Sequence, residues 1–250
     1  MHDGPLPLRI TELSRRYGDL TAVDRLSLEV RRGEIVGFLG PNGAGKTTTL
    51  RICAGLLRPD GGEVEIAGAS LRRASRRARA ALGFVPDRPF LYERLTGREF
   101  LEFVGALYDV PLAVVEERIR RLLERLDLIA AMDDLIETYS HGMRQKVAVA
   151  AALIHDPTLA MLDEPLIGLD PHAARALKDL LRARAERGLG VLVSTHLLEV
   201  AERLCDRVVI LHRGRVLADG SLDELRGARS EATLEDVFLE LTRGQGDMAT

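Results

Sequence analysis

Ile35-Val36-Gly37-Phe38-Leu39 followed by Gly40-Pro41-Asn42-Gly43-Ala44-Gly45-Lys46-Thr47 is the stretch that decides how this chain folds. The first five residues read as a compact apolar strand. The next eight fit G-x-x-x-x-G-K-[ST], and a helical pattern from Gly45 to Leu57 follows, ended by the turn Arg58-Pro59-Asp60-Gly61-Gly62. Strand, glycine-rich loop and helix in that order form a cradle for phosphates. The glycines let the backbone curl so that several N–H groups converge, and the helix N-terminus adds a favourable dipole. Lys46 supplies a compact cation for the β- and γ-phosphates, and Thr47 offers its hydroxyl to Mg²⁺. The loop specifies binding of a nucleoside triphosphate and says nothing about what the energy is used for.

Upstream, Leu8 to Val30 alternates apolar and polar residues in two runs, the pattern of antiparallel edge strands. Downstream, Glu63–Ile66 and Leu82–Val85 read as short strands, separated by Leu71–Ala81 with Arg72, Arg73, Arg76, Arg77 and Arg79, a solvated helix face. From Thr96 to about His155 the period is helical, with one stripe at Leu101, Val104 and Leu107 and another at Ile119, Leu122, Leu123 and Leu126. Strands return at Leu159–Leu162 and Val191–Ser194, with helices at 171–187 and 197–204, then a hairpin around Arg213-Gly214. Alternating strands and helices predict an α/β fold with a mostly parallel sheet covered on both faces, an N-terminal antiparallel β region and an inserted helical subdomain. The expected layout is a single domain: a core of 1–90 and 156–222, a helical subdomain at 91–155 and a C-terminal helical extension at 223–250.

Leu159-Ala160-Met161-Leu162 ends in two adjacent acids, Asp163 and Glu164. At a strand tip beside the phosphate loop, Asp163 can hold Mg²⁺ directly or through water. The next residue points elsewhere, so Glu164 is the candidate to polarise an attacking water at the γ-phosphate. Without the phosphate loop the same pair would read as an acidic turn before Pro165.

Composition narrows the partners. The apolar fraction of 46% and charged fraction of 29% are those of an ordinary globular chain. A formal charge of −3 argues against nucleic acid, which needs a broad basic surface. Positive charge is almost all arginine, the lysines being Lys46, Lys146 and Lys178, a bias of the kind a GC-rich genome leaves. Cys53 and Cys205 have neither metal nor redox spacing and read as two inert buried thiols. No apolar run reaches the ~20 residues needed to cross a bilayer, so membrane contact is expected only through a partner.

These motifs together resemble the ATP-binding cassette (ABC) family over nearly the whole chain. Tyr139-Ser140-His141-Gly142-Met143-Arg144-Gln145-Lys146 looks like its signature, lying between the phosphate loop and Asp163, though alone it would read as a serine-capped helix. The resemblance implies ATP and Mg²⁺ as ligands, with Gly40 to Thr48 around the phosphates and Tyr17 stacked on adenine. It also implies that Ser140, His141, Gly142 and Met143 of one chain face the γ-phosphate held by another, with contact through Ser140 and the Gly142 backbone. Gly168-Leu169-Asp170 resembles the D-loop bridging the two subunits, and His196 the switch histidine at the γ-phosphate, so Lys46, Glu164 and His196 are the expected catalytic groups.

His141 and Met143 depart from the commoner Gly and Gln. Gly83-Phe84-Val85-Pro86 is followed by Asp87 where the family has glutamine. Asp87 is thus a candidate Mg²⁺ ligand and a coupling residue, or a turn residue before Arg88-Pro89. This acid, the His-Gly-Met variant and Thr233-Leu234-Glu235-Asp236-Val237-Phe238 resemble the ABC-2-type export branch. What the resemblance implies is a prokaryotic ATPase at the cytoplasmic face of the membrane, working as a homodimer or with a paired ABC subunit and driving an integral membrane permease. A soluble ABC ATPase of translation or DNA repair would carry tandem cassettes, a long coiled coil or a basic surface. A nucleotide-gated scaffold would not need Asp163, Glu164 and His196.

Overall fold

The computed structural model describes residues 4–227 and 233–243. Two antiparallel strands open it, β1 (Leu8–Tyr17) and β2 (Leu20–Val30), joined by β4 (Gly61–Ile66) and β5 (Ala69–Ser70) in a four-stranded sheet of order β2-β1-β4-β5. The second sheet is built from β3 (Ile35–Leu39), β6 (Leu82–Val85), β7 (Leu159–Asp163), β8 (Gly190–Thr195), β9 (Arg207–His212) and β10 (Arg215–Gly220). Its order is β10-β9-β3-β8-β7-β6, parallel throughout except for the edge strand β10.

Every residue of β3, β7 and β8 is buried, as expected of parallel strands sandwiched on both faces. Alternation divides them. Ile35, Leu39, Leu162 and Val193 face a helical core, whereas Val36, Phe38, Met161 and Leu192 face a second core shared with the four-stranded sheet. On that second side lies α1 (Lys46–Cys53), directly after the phosphate loop, and α2 (Ser75–Ala80). Between β6 and β7 come α3 (Gly97–Leu107), α4 (Leu112–Arg125), two single 3₁₀ turns and α5 (His141–Leu153). Thr96 starts α3 with a reciprocal cap on Glu99. After β7 follow α6 (Pro171–Ala185), α7 (Leu198–Leu204), α8 (Leu222–Arg226) and α9 (Leu234–Arg243).

Several local readings are corrected. The helix after the phosphate loop stops at Cys53 and not Leu57, because Gly55 turns left-handed (φ +72°) while the Leu56 and Leu57 N–H groups return to the Arg51 carbonyl. Gly61-Gly62 is not a turn: both open β4. Gly62 (φ +85°) lies against a bulge of β1, where any side chain would strike the Thr11 and Glu12 carbonyls. Strand β1 is no edge strand, since β4 covers its other side. In α3, Leu101 is buried but Leu107 is 65% exposed, and Phe100 takes the inward place. Helix α9 packs next to α7 and α8, with Leu234 and Val237 buried. Among the described residues no helix is long and apolar enough to cross a membrane.

Candidate active site

The register of the parallel strands brings three chain segments to one edge. Leu39 pairs with Thr195 and Asp163 pairs with Ser194, so the loops after β3, β7 and β8 leave the sheet side by side at its C-terminal end. Strand β7 is separated from β3 by β8, yet the Thr47 hydroxyl donates to Asp163 Oδ2 at 3.0 Å. The phosphate loop and the carboxylate pair are therefore one site.

The loop is gripped from two sides. Gly45 has φ +106°, and a Cβ there would strike the Ala22 carbonyl oxygen of β2. The Gly214 N–H, in the turn between β9 and β10, donates to the Ala44 carbonyl at 2.9 Å. Pro41, Asn42 and Gly43 form the exposed rim, Thr48 is half-buried, and Lys46 is only 6% exposed. The Lys46 ammonium donates to the Gly40 and Pro41 carbonyls at 2.6 and 3.2 Å, which holds it inside the curl of the loop. Burial lowers its pKa, against the opposing pull of Glu164 and Asp163. Burial likewise raises the pKa of Asp163, opposed by the neighbouring Ser194 and Thr47 hydroxyls, while the charge of Asp87 adds to the rise. Asp87 itself is exposed, two residues beyond β6, within electrostatic reach of Asp163.

Glu164 is positioned by its backbone. It adopts a left-handed conformation (φ +51°), which a non-glycine residue rarely does, and its N–H donates to the Ser194 carbonyl at 2.9 Å. The Thr195 hydroxyl donates to Oε2 at 3.0 Å, and His196 Nδ1 lies 2.8 Å from Oε1. An ionised carboxylate only accepts, so in that contact Nδ1 carries the hydrogen. The sequence reading missed Thr195. Its signal was a hydroxyl residue at the last position of a buried strand, beside the singled-out histidine.

The remaining residues stand apart from this cluster. Tyr17 ends β1 opposite Leu20, two residues from the Ala22 that abuts Gly45, with the Arg15 guanidinium 4.9 Å above its ring. Ser140 caps α5 by accepting from the Met143 N–H at 3.3 Å, and both Ser140 and His141 are exposed. Gly142 lies against Leu169. His141 Nε2 lies 3.3 Å from the Ile167 carbonyl and its ring packs on Gly168, so 140–142 and 167–169 touch within one chain. Asp170 caps α6 by accepting from the His172 and Ala173 N–H groups, bonds that hold its pKa low.

The ABC transporter family model matches residues 23–167, from β2 past Glu164. The Nod factor export ATP-binding protein I of Ralstonia nicotianae is 41% identical over 87% of this chain and 68% of its own length. The daunorubicin resistance ATP-binding protein DrrA3 of Streptomyces coeruleorubidus is 40% identical over 90% of this chain and 72% of its own. The ABC-type transporter ATP-binding protein EcsA of Bacillus subtilis is 37% identical over 94% and 96%. A solved ATP-binding subunit of an ABC transporter superposes with a TM-score of 0.89 at 38% identity, covering 94% of this chain and 99% of that one. The chain belongs to the family of ABC transporter ATP-binding subunits, ATP-binding P-loop ATPases whose hydrolysis is coupled to transport.

Proposed function

We propose that this subunit drives export through a separate membrane permease, and that it does so as one of two cassettes enclosing two ATP molecules. The names of the Nod factor export and daunorubicin resistance relatives support export. The bacterial sources of these relatives support placement at the cytoplasmic face of a prokaryotic membrane. No observation favours a role in translation or DNA repair.

The catalytic assignment rests on the way Glu164 is held, with Thr195 on one carboxylate oxygen and His196 on the other. A carboxylate fixed by its backbone and two side chains needs little reorganisation to take a proton from water as that water attacks the γ-phosphorus. Lys46 neutralises the phosphates, and the backbone of the glycine-rich loop after Pro41 cradles them. Thr47 and Asp163, 3.0 Å apart, offer one hydroxyl and one carboxylate, hard oxygen donors of the kind that hold Mg²⁺ when phosphates and water supply the rest. Bound there, the ion would offset phosphate charge. Asp87 lies where a further oxygen ligand, directly or through water, would report nucleotide state to residues 88–110. His196 can donate to a γ-phosphate only as an imidazolium, or after its ring releases Glu164. Tyr17 would stack on adenine. Ser140, His141, Gly142 and Met143 serve the nucleotide of the partner chain, and Asp170, by capping α6, sets the loop that touches them.

Glu164→Gln tests the assignment. It keeps size but removes basicity, so ATP binding should persist, phosphate release should fall to background, and ATP with Mg²⁺ should trap a dimer in size-exclusion chromatography. Turnover at the wild-type rate would remove Glu164 from its role.

A further inference from the structure

At the opposite end of the same sheet lies a pocket of about 810 Å³ whose chemistry the ATPase does not use. It opens where the strands begin: Thr158 precedes β7, Leu189 precedes β8 and Arg32 precedes β3. Its walls come from both parts of the fold. Helix α4 contributes Arg118, Arg121 and Arg125 at spacings of three and four, which puts them on one face. The end of α6 and the turn after it contribute Arg184 and Arg187.

Six arginines thus meet two acids, Glu124 and Asp156, a local excess of four positive charges on a chain whose formal charge is −3. Asp156 is shared, 3.2 Å from Arg184 and 4.0 Å from Arg118. Arg118 and Arg184 are anchored further by donating to the Ile154 and Leu153 carbonyls, so their guanidinium groups are fixed in the wall. Arg121 pairs with Glu117 outside the pocket. Among the described residues Arg32, Arg125 and Arg187 form no salt bridge. Burial depresses the pKa of Arg184, and although Asp156 opposes this, Arg118, Arg187 and Arg125 press it down further. Like charges gathered in a concave wall repel one another unless an anion enters, and guanidinium forks match phosphate oxygens in pairs. The volume falls in the range of small-molecule sites.

We propose that this pocket is a second anion site, taking a small soluble molecule that carries at least two phosphate groups and bridging α4 to the end of α6. The site is independent of the nucleotide site, whose phosphate loop lies at the other edge of the sheet.

Calorimetric titration with inorganic tripolyphosphate, without Mg²⁺, tests it on the full chain carrying Lys46→Ala, which weakens anion capture by the phosphate loop. That chain should still bind one tripolyphosphate. Adding Arg125→Glu and Arg187→Glu, two exposed side chains without ion pairs, cancels the four excess charges and should weaken binding at least ~10-fold. Arg125→Lys with Arg187→Lys keeps the charge but loses the paired guanidinium contacts, and should weaken binding less than the charge reversal does. Where the charge reversal impairs folding, Arg125→Ser with Arg187→Ser replaces it. Absence of tripolyphosphate binding to the Lys46→Ala chain, or binding indifferent to residues 125 and 187, overturns the proposal. So does capture by phosphatidic acid vesicles that depends on these arginines without any binding of soluble tripolyphosphate.

Discussion

The sheet edge that carries the phosphate loop and the first turn of α5 make opposite use of their polar groups. At the sheet edge the charged groups are held within the chain: Lys46 by Gly40 and Pro41, Asp163 by Thr47, and Glu164 by Thr195 and His196. At the start of α5 the polar groups face outward. Ser140 and His141 are exposed, and the Ser140 hydroxyl makes one long contact to the Met143 N–H. A helix start leaves backbone N–H groups that its own helix cannot satisfy, and Ser140 caps that of Met143. The difference teaches that one half of the proposed site is preorganised by its own fold, while the other, on the shared-site proposal, is finished by a partner chain.

The preorganised half should be the more brittle. Gly45→Ala forces a side chain into a left-handed position against the Ala22 carbonyl, a strain of about 1–3 kcal/mol where it is tolerated at all. The loop must shift, and a displacement near 1 Å at a reacting centre costs on the order of 100-fold. ATPase rate and ATP affinity should both collapse while the thermal midpoint moves by a few degrees. Gly142→Ala should be far milder for folding, because its Cβ would meet only Leu169 at ordinary contact distance. Equal rates for the Gly45→Ala and wild-type chains would break the contrast.

A smaller effect is expected where α3 and the end of α5 meet β6. His155 stacks on Tyr108 at 3.7 Å and sits 3.1 Å from the Leu82 carbonyl. Burial, the dominant cause, lowers its pKa from 6.5 to about 4. A depressed histidine keeps its stabilising contribution above the unfolded value and loses it as pH falls toward the folded one, because the unfolded chain takes up a proton that the folded chain refuses. Stability should therefore drop between pH 6.5 and about 4, by up to ~3 kcal/mol from this residue. In His155→Phe, denaturant titrations across that window should give a flatter profile. An unchanged slope would remove His155 as its source.

The smallest effect falls on Asp87. If this carboxylate links nucleotide state to residues 88–110, Asp87→Ala should keep most of the hydrolysis of the isolated subunit and lose several-fold of the stimulation by permease in reconstituted vesicles. Equal stimulation would make it a turn residue.

Much of this was legible in the sequence because it is written locally. A buried strand running into a glycine-rich loop, and an apolar strand ending in Asp163-Glu164, each carry their geometry in a few neighbouring residues. Features set by contacts between distant segments were not legible. The Gly61-Gly62 pair looks like a turn until the bulge of β1 is laid against it, and Leu107 fits the stripe of α3 although Phe100 takes the buried place. Thr195 holds Glu164 only because β7 and β8 pair in one register. The arginine pocket joins residues up to 157 positions apart, so a sequence rich in arginine everywhere hides it.

Mixing two inactive chains tests the central claim, that one chain supplies only half of each site, most directly. Lys46→Ala disables the preorganised half, and Ser140→Arg blocks the outward half. In a mixed dimer both lesions fall in one composite site, leaving the other with an intact phosphate loop from one chain and an intact α5 start from its partner. ATPase activity of the purified mixed dimer, isolated with two different affinity tags, should return to a substantial fraction of wild type while either variant alone stays at background. A mixed dimer as inactive as its parents would contradict the shared site.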